Sequence, residues 1–279
     1  MRNASTTLLL KDVRYRTAAA AVVAAVGQWT IERWRSLIIM LYAAVAVGLR
    51  GCRPKSWRRS VRREFFYQFY QMGVRALPFV GISGIIVGVG LVFQALYWLD
   101  MFGQSDFVGK FLVLVLVREI APVAVGLIVI VRSVSVMTVE LGTMQVNGQI
   151  RMLDAQGIDP VIFLILPRVF ALSICTFCLT IVFLIVAFGA GFLAGNVLLD
   201  TNRTFFEYLN QVLAAMGPQE FAIIPMKTLS IGYMSALIGC LAGFETTGSS
   251  ADVSVILPAG MVKAVMATLV ISVLITLIL

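Results

Sequence analysis

Four ionisable side chains stand in or beside long apolar runs of this 279-residue chain: Arg118, Glu119, Arg132 and Lys227. A charge at the centre of a bilayer costs about 2.5–3.5 kcal/mol on insertion scales, so such groups ordinarily face a cavity or a partner. Arg118 and Glu119 are neighbours in sequence. Their side chains leave a helix about 100° apart and need not pair with each other. Glu119 could reach Lys227, and the two could line a polar gate. Equally, Arg118 and Glu119 could mark the outer interface and snorkel to water. Position alone leaves both readings open.

A second constellation is the polar interval ELGTMQVNGQIRMLDAQGIDP at 140–160. Met144, Val146, Ile150, Met152 and Leu153 recur there as on a short amphipathic helix. Gly157 is placed to end that helix and Pro160 to block the next. A helix of this kind between two spans is what a transporter needs to dock on a separate motor, although any membrane protein could carry one.

Other chemistries are excluded by what the chain lacks. It has no histidine, which removes imidazole as base, shuttle or metal ligand. Cys175 and Cys178 form a CxxC inside an apolar run with no other soft ligand nearby, and read as small hydrophobes. The nearest approach to a phosphate-binding loop runs from Gly103 to Gly109-Lys110-Phe111. It has five residues between its glycines, where the motif has four, and Phe where Ser or Thr would hold magnesium. No nucleotide site is expected in this chain.

Composition dictates what must position these residues. Sixty per cent of the chain is hydrophobic, 13% is charged, and the mean hydropathy is +0.96. Soluble domains are nearer half apolar and a quarter charged. A water-soluble fold could not hide this much apolar surface, so the chain reads as an all-α polytopic membrane protein. Five spans are expected, at about 76–99, 111–135, 161–199, 222–243 and 255–279. The third is too long for one straight crossing, and Pro167 or Gly189–Gly191 should bend or end it. Residues 200–220 read as a second polar interval. The pairs Gly84/Gly88, Gly191/Gly195 and Gly239/Gly243 predict close helix packing, within or between chains.

Fourteen of the 22 Lys and Arg lie in residues 1–75, against three acids. This basic region, ahead of a transmembrane domain at 76–279, is expected to stay cytoplasmic, beside anionic headgroups. Nucleic-acid binding is not expected. The apolar runs 18–27 and 37–49 fall short of the roughly 20 residues a crossing needs, and predict interfacial or elbow helices better than a signal peptide. Five spans then place 140–160 and 244–254 inside and the C-terminus outside.

VREIAP (117–122), ELGTM (140–144), QI…GIDP (149–160) and LPRV (166–169), in this order and spacing, resemble the MlaE/YrbE permease family. These are membrane subunits of ABC transporters that work with MCE proteins on lipids. The resemblance covers roughly 62–279. It implies a homodimer in the bacterial inner membrane, an ATPase that consumes ATP and magnesium, and an MCE-domain protein on the periplasmic side. A small cytoplasmic STAS-type subunit is a further partner it implies. The cargo would be phospholipid or a related lipid, held at the dimer interface. No cofactor or catalytic residue is expected in this chain.

Residue by residue, the charged pair of the motif falls on Arg118 and Glu119, and the span-4 lysine on Lys227, which favours the gate reading. Coupling to the ATPase would involve Glu140, Met144, Gln149, Ile150, Leu153, Asp154, Gly157 and Asp159. Acyl chains would meet Val87, Leu91 and Leu96, on a helical stripe that could equally be packing. Two departures stand out. Gly148 occupies a position that is often Glu in the family, and Thr276 one that is often Asp, so any charge network around Lys227 should be smaller here. A lipid-modifying membrane enzyme or a self-contained channel are the alternative readings.

Overall fold

The computed structural model describes residues 38, 40–51, 59–95, 97, 108–199, 205–246 and 250–278. The N-terminal run 18–27, the predicted lipid-contact residue Leu96 and Gly103 lie outside these. The chain divides into two compact units, Met1–Ala46 and Val47–Leu279. In the first, the described residues from Met40 on belong to α1, Met40–Gly51, an apolar helix too short to cross a bilayer.

Five helices of the second unit are long and apolar enough to cross a membrane: α2 (Arg59–Ala95), α3 (Lys110–Val146), α5 (Val161–Val197), α7 (Glu220–Phe244) and α8 (Leu257–Ile278, with its helix starting at Ser250). Two shorter helices join them, α4 (Gln149–Ala155) and α6 (Phe205–Ala215). There is no strand among the described residues. The expected all-α architecture with five spans is therefore present. In lipid only internally hydrogen-bonded backbones of this sort survive.

The boundaries differ instructively. α2 begins at Arg59, well before the expected span at 76. Its first half, Arg59–Met72, is a polar helix separated from the apolar half by Gly73 and a 3-10 turn at Val74–Ala76. Exposed Phe66, Tyr67 and Tyr70 share that half with Arg59, Arg62 and Arg63, the make-up of a segment lying at a lipid–water interface. α5 runs unbroken through Gly189–Gly191 and does not end there. Membrane helices tolerate glycine where neighbours pack on it, and Val92 lies against Gly191. Pro167 sits just after a π-helical turn, Val161–Ile165, inside the same helix. α6 occupies the interval expected to be merely polar. Its buried Tyr208 and Val212 are one turn apart, and the Tyr208 ring packs on Phe188 and Phe192 of α5 at 6.3 and 5.6 Å between centroids.

Gly84/Gly88, Gly239/Gly243 and Gly191 make close contacts within the chain. A Cβ on Gly88 would strike the Ala187 backbone, and one on Gly84 would come within 3.2 Å of the Phe183 carbonyl, so α2 and α5 meet backbone to backbone. Gly239 and Gly243 bring α7 against Val134, Thr138 and Leu141 of α3 in the same way. Hydroxyls add interhelical bonds: Thr138 Oγ1 donates to Gly239 O (3.1 Å), Ser173 Oγ to Leu229 O (2.8 Å) and Thr176 Oγ1 to Thr228 O (3.1 Å). The most apolar stretches of α2 and α8 are only 28% and 22% buried, against 50–56% for the other three spans. Those two helices form the outer faces of the bundle.

Gly88→Val should destabilise the chain by about 1–3 kcal/mol through overpacking against Ala187. Gly90→Ala, with nothing within 4 Å of the added carbon, should be neutral. Thermal unfolding of the two variants in detergent measures the difference.

Candidate functional site

Lys227 is fully buried on α7. Its Nζ donates to Glu119 Oε2 at 2.9 Å, to the Arg118 carbonyl at 2.8 Å and to Thr276 Oγ1 at 2.9 Å. An ammonium has three protons, so its donor capacity is filled. Thr276 in turn donates to Glu119 Oε1 at 2.6 Å, and Ser272 Oγ lies 3.4 Å from Oε2. Three spans, α3, α7 and α8, thus converge on one cation.

Local sequence makes this convergence available. Arg118 and Glu119 lie on a π-helical stretch, Val113–Ile120, that ends against Ala121-Pro122. Pro122 has no N–H, so the Arg118 carbonyl four residues earlier loses its α-helical donor. That freed oxygen is the one that accepts Lys227. Arg118 turns its guanidinium away toward Glu220 at the start of α7, at 3.9 Å. Glu119 keeps 40% of its side chain exposed while Lys227 has none, so the carboxylate is the open edge of the network.

The expected pairing of Glu119 with Lys227 is present, and Arg118 faces a different acid. Thr276 stands within the network, at the position noted above as often Asp in the family the sequence resembles. One ammonium therefore meets one carboxylate, a smaller and balanced set. Glu220 was not foreseen, because it reads as part of a polar interval.

The far end of α3 holds the second constellation, about 40 Å along the helix from Glu119. The amphipathic helix expected from Met144 to Leu153 is two helices. α3 continues to Val146, and Gly148, with φ +70°, breaks the chain before α4. Met144 is half-buried in the last turn of α3. Gly157 (φ +74°) closes α4 as expected: its N–H donates to Asp154 O (2.9 Å), and that of Ile158 to Leu153 O (3.1 Å). Pro160 does not block the next helix. Asp159 accepts the Val161 N–H at 2.9 Å and Pro160 stands in the first turn, where a missing N–H costs nothing. Asp159 also meets Arg50 at 3.3 Å on the surface.

Side-chain directions also differ from expectation. Ile150 is 7% exposed and packs on its own chain, so it offers no docking contact. Leu153 is half-buried, and Gln149 and Asp154 are exposed. The apolar side chains that face outward are Met152 and Ile158. Glu140 pairs with Arg168 of α5 at 3.2 Å, and Arg168 is 1% exposed. An arginine after Pro167 in an apolar run was the available signal for this second buried charge. On α2, Val87 and Leu91 are half-buried and Val92 is buried. The stripe facing outward is Ile82, Ile85, Ile86 and Val89. Cys175 and Cys240 are buried, while Cys178 faces outward. Among the described residues no group of His, Cys, Asp or Glu is placed to hold a metal ion.

A family model described as Permease MlaE matches residues 65–278. A probable ABC transporter permease of Rickettsia prowazekii is 28% identical over 220 residues, covering 78% of this chain and 82% of the relative. One from Synechocystis is 30% identical over 192 residues, covering 69% of this chain and 72% of the relative. The intermembrane phospholipid transport system permease protein MlaE of Haemophilus influenzae is 28% identical over 179 residues, covering 62% of this chain and 65% of its own.

Glu119→Ala should destabilise by about 3–5 kcal/mol, because it strands a buried ammonium. Combining Lys227→Met with Glu119→Gln should recover most of that loss, since both charges leave together. A double-mutant cycle on unfolding midpoints checks the coupling.

Proposed function

The chain belongs to the MlaE permease family, and from that premise we propose that it moves phospholipid or a related lipid between the bacterial inner membrane and a periplasmic MCE-domain protein. In this reading it is the membrane half of an ABC transporter. It works as a homodimer, and ATP and magnesium are used by an ATPase subunit docked at α4. A small STAS-type subunit sits on the same cytoplasmic side. The basic N-terminal region lies inside and the C-terminus outside. A relative that shares 28% identity carries intermembrane phospholipid transport in its name, which supports the choice of cargo.

The observation that carries this reading is the saturated Lys227 ammonium joining α3, α7 and α8 at the end of α3 opposite α4. A lysine whose protons are all donated offers no nucleophile, which favours a structural hinge over the lipid-modifying enzyme. The partly exposed Glu119 edge is the polar element that a lipid headgroup meets, and Ile82, Ile85, Ile86 and Val89 supply the apolar wall for acyl chains. The thinly buried α2 and α8 leave faces for a second copy. Nucleotide state then selects between two arrangements of the spans by contacting α4 differently in each.

With Gln149→Cys, labelling from the periplasmic side of intact cells should fail, and ready labelling would invert the topology. Met152→Asp with Ile158→Asp should abolish co-purification with the ATPase and leave insertion intact, because an apolar anchor is replaced by unpaired charge. Normal coupling in that variant would remove α4 from the interface. The Lys227→Met/Glu119→Gln pair should fold but fail to transfer lipid between vesicles and the MCE protein.

A further inference from the structure

A cavity of about 180 Å³ opens where the polar half of α2 meets α3, lined by Tyr67, Gln71, Arg75, Arg132, Ser133 and Glu140 among others. It lies apart from the Lys227 network: Arg132 is about 20 Å along α3 from Glu119. Two guanidiniums share it. Arg75 Nη1 donates to Gln71 Oε1 at 2.8 Å, and Arg132 Nη1 to the Gln71 carbonyl at 3.3 Å. Gln71 Nε2 is spent on Tyr67 Oη at 2.9 Å, and the Arg132 guanidinium stands 5.6 Å from the centre of the Phe79 ring.

Glu140, the carboxylate lining the cavity, is paired with the buried Arg168 at 3.2 Å. Glu64 accepts from Gln68 at 2.8 Å. Among the described residues, neither Arg75 nor Arg132 has a carboxylate within salt-bridge distance. Two like charges held beside each other at a membrane edge repel, and a bridging anion turns that repulsion into attraction. The planar fork of arginine matches a phosphate in particular.

Place and size narrow the ligand. Exposed Tyr67 lines the cavity, Phe79 lies against Arg132, and exposed Phe66 and Tyr70 stand on the same polar half of α2, the residue types of a membrane-interface belt. Exposed Val74, Leu77, Val136 and Val139 continue from it along α2 and α3 as an apolar surface. The volume is below that of typical small-molecule pockets. It suits a headgroup whose acyl chains remain outside on that surface. We propose that this cavity binds the phosphodiester of an anionic lipid headgroup through Arg75 and Arg132. The inference rests on the chain's placement in a membrane and is independent of what is transported.

The test uses the full chain purified in detergent and presented with equal phosphatidylglycerol and phosphatidylcholine, with retained lipid counted by native mass spectrometry. Phosphatidylglycerol should be retained preferentially. Arg75→Gln should lower that preference about tenfold through loss of a charge-assisted contact. Gln71→Glu, which leaves the side-chain shape intact and sets a carboxylate against Arg75, should do the same, and Arg75→Lys should keep most of it. Inorganic phosphate at millimolar concentration should not displace the lipid. Arg75 and Gln71 lie outside the core, and unchanged elution and unfolding midpoints verify that the variants are folded. Equal retention of the two lipids, an unchanged preference in both charge-lowering variants, or displacement by inorganic phosphate would each overturn the assignment.

Discussion

An ammonium group with no access to water is the constraint around which one end of this bundle is organised. Removing an ion from water costs several kcal/mol, and only good geometry with complete hydrogen bonding repays it. Lys227 obtains both from three directions: a carboxylate and a freed carbonyl on α3, and a hydroxyl on α8. Pro122 frees the carbonyl by withholding its own N–H, and the π-helical stretch Val113–Ile120 carries Glu119 to the same place. Thr276 matters by what it is not. A second carboxylate there would leave a net negative charge among apolar helices, whereas the hydroxyl leaves Lys227 and Glu119 balanced. Arg118 and Glu220 form a neighbouring pair of equal and opposite charge.

Among the described residues α3 takes part in every ion pair except the surface pair Arg50–Asp159. Glu119 meets α7 and α8, Arg132 meets α2, and Glu140 meets α5. Two of those residues lie on π-helical segments, Val113–Ile120 and Ile130–Val134. A π turn holds more residues than an α turn and redirects the side chains on either side of it. The remaining contacts of the bundle are mostly close and non-polar. Glycine lets α2 approach α5, and α7 approach α3, to backbone distance. Packing of this kind fixes which faces meet, and the charges fix where along each helix they meet.

Much of this was legible in the sequence, and the failures have local causes. Apolar length alone gave the number of spans, because a bilayer fixes how many residues a crossing needs. Glu119 and Lys227 could be matched because charge inside an apolar run demands a partner. Gly157 announced the end of α4. The start of α2 was missed because helical periodicity in Arg59–Met72 is carried by aromatic and polar residues, which a search for apolar runs passes over. α6 was missed for the same reason, although Tyr208 and Val212 are spaced one turn apart. Pro160 alone suggests a block, yet proline preceded by an acceptor such as Asp159 is equally a helix start. Ile150 illustrates a limit of periodicity: it shows that a helix has an apolar face but not whether that face meets its own chain. Arg168 was visible all along as a lone cation in LPRV.

The two buried cations differ in a way that bears on how the spans can move. Lys227 has every proton accepted, while Arg168 keeps Nε and Nη1 without partners and relies on the contact of its Nη2 with half-exposed Glu140. Breaking either pair strands a charge in an apolar surround, so each pair ties its helices into a unit. At one end α3 is joined to α7 and α8, and at the other to α5. A rearrangement that preserves both pairs can be taken up within α3, between Ile120 and Glu140. That stretch contains the π segment Ile130–Val134, where the helical ladder already departs from α geometry. It also carries Arg132, whose guanidinium bonds the backbone of α2. The π segment of α3 therefore coincides with its contact to α2, one of the two thinly buried helices, so a change of α3 at this point would bear directly on an apolar face turned outward.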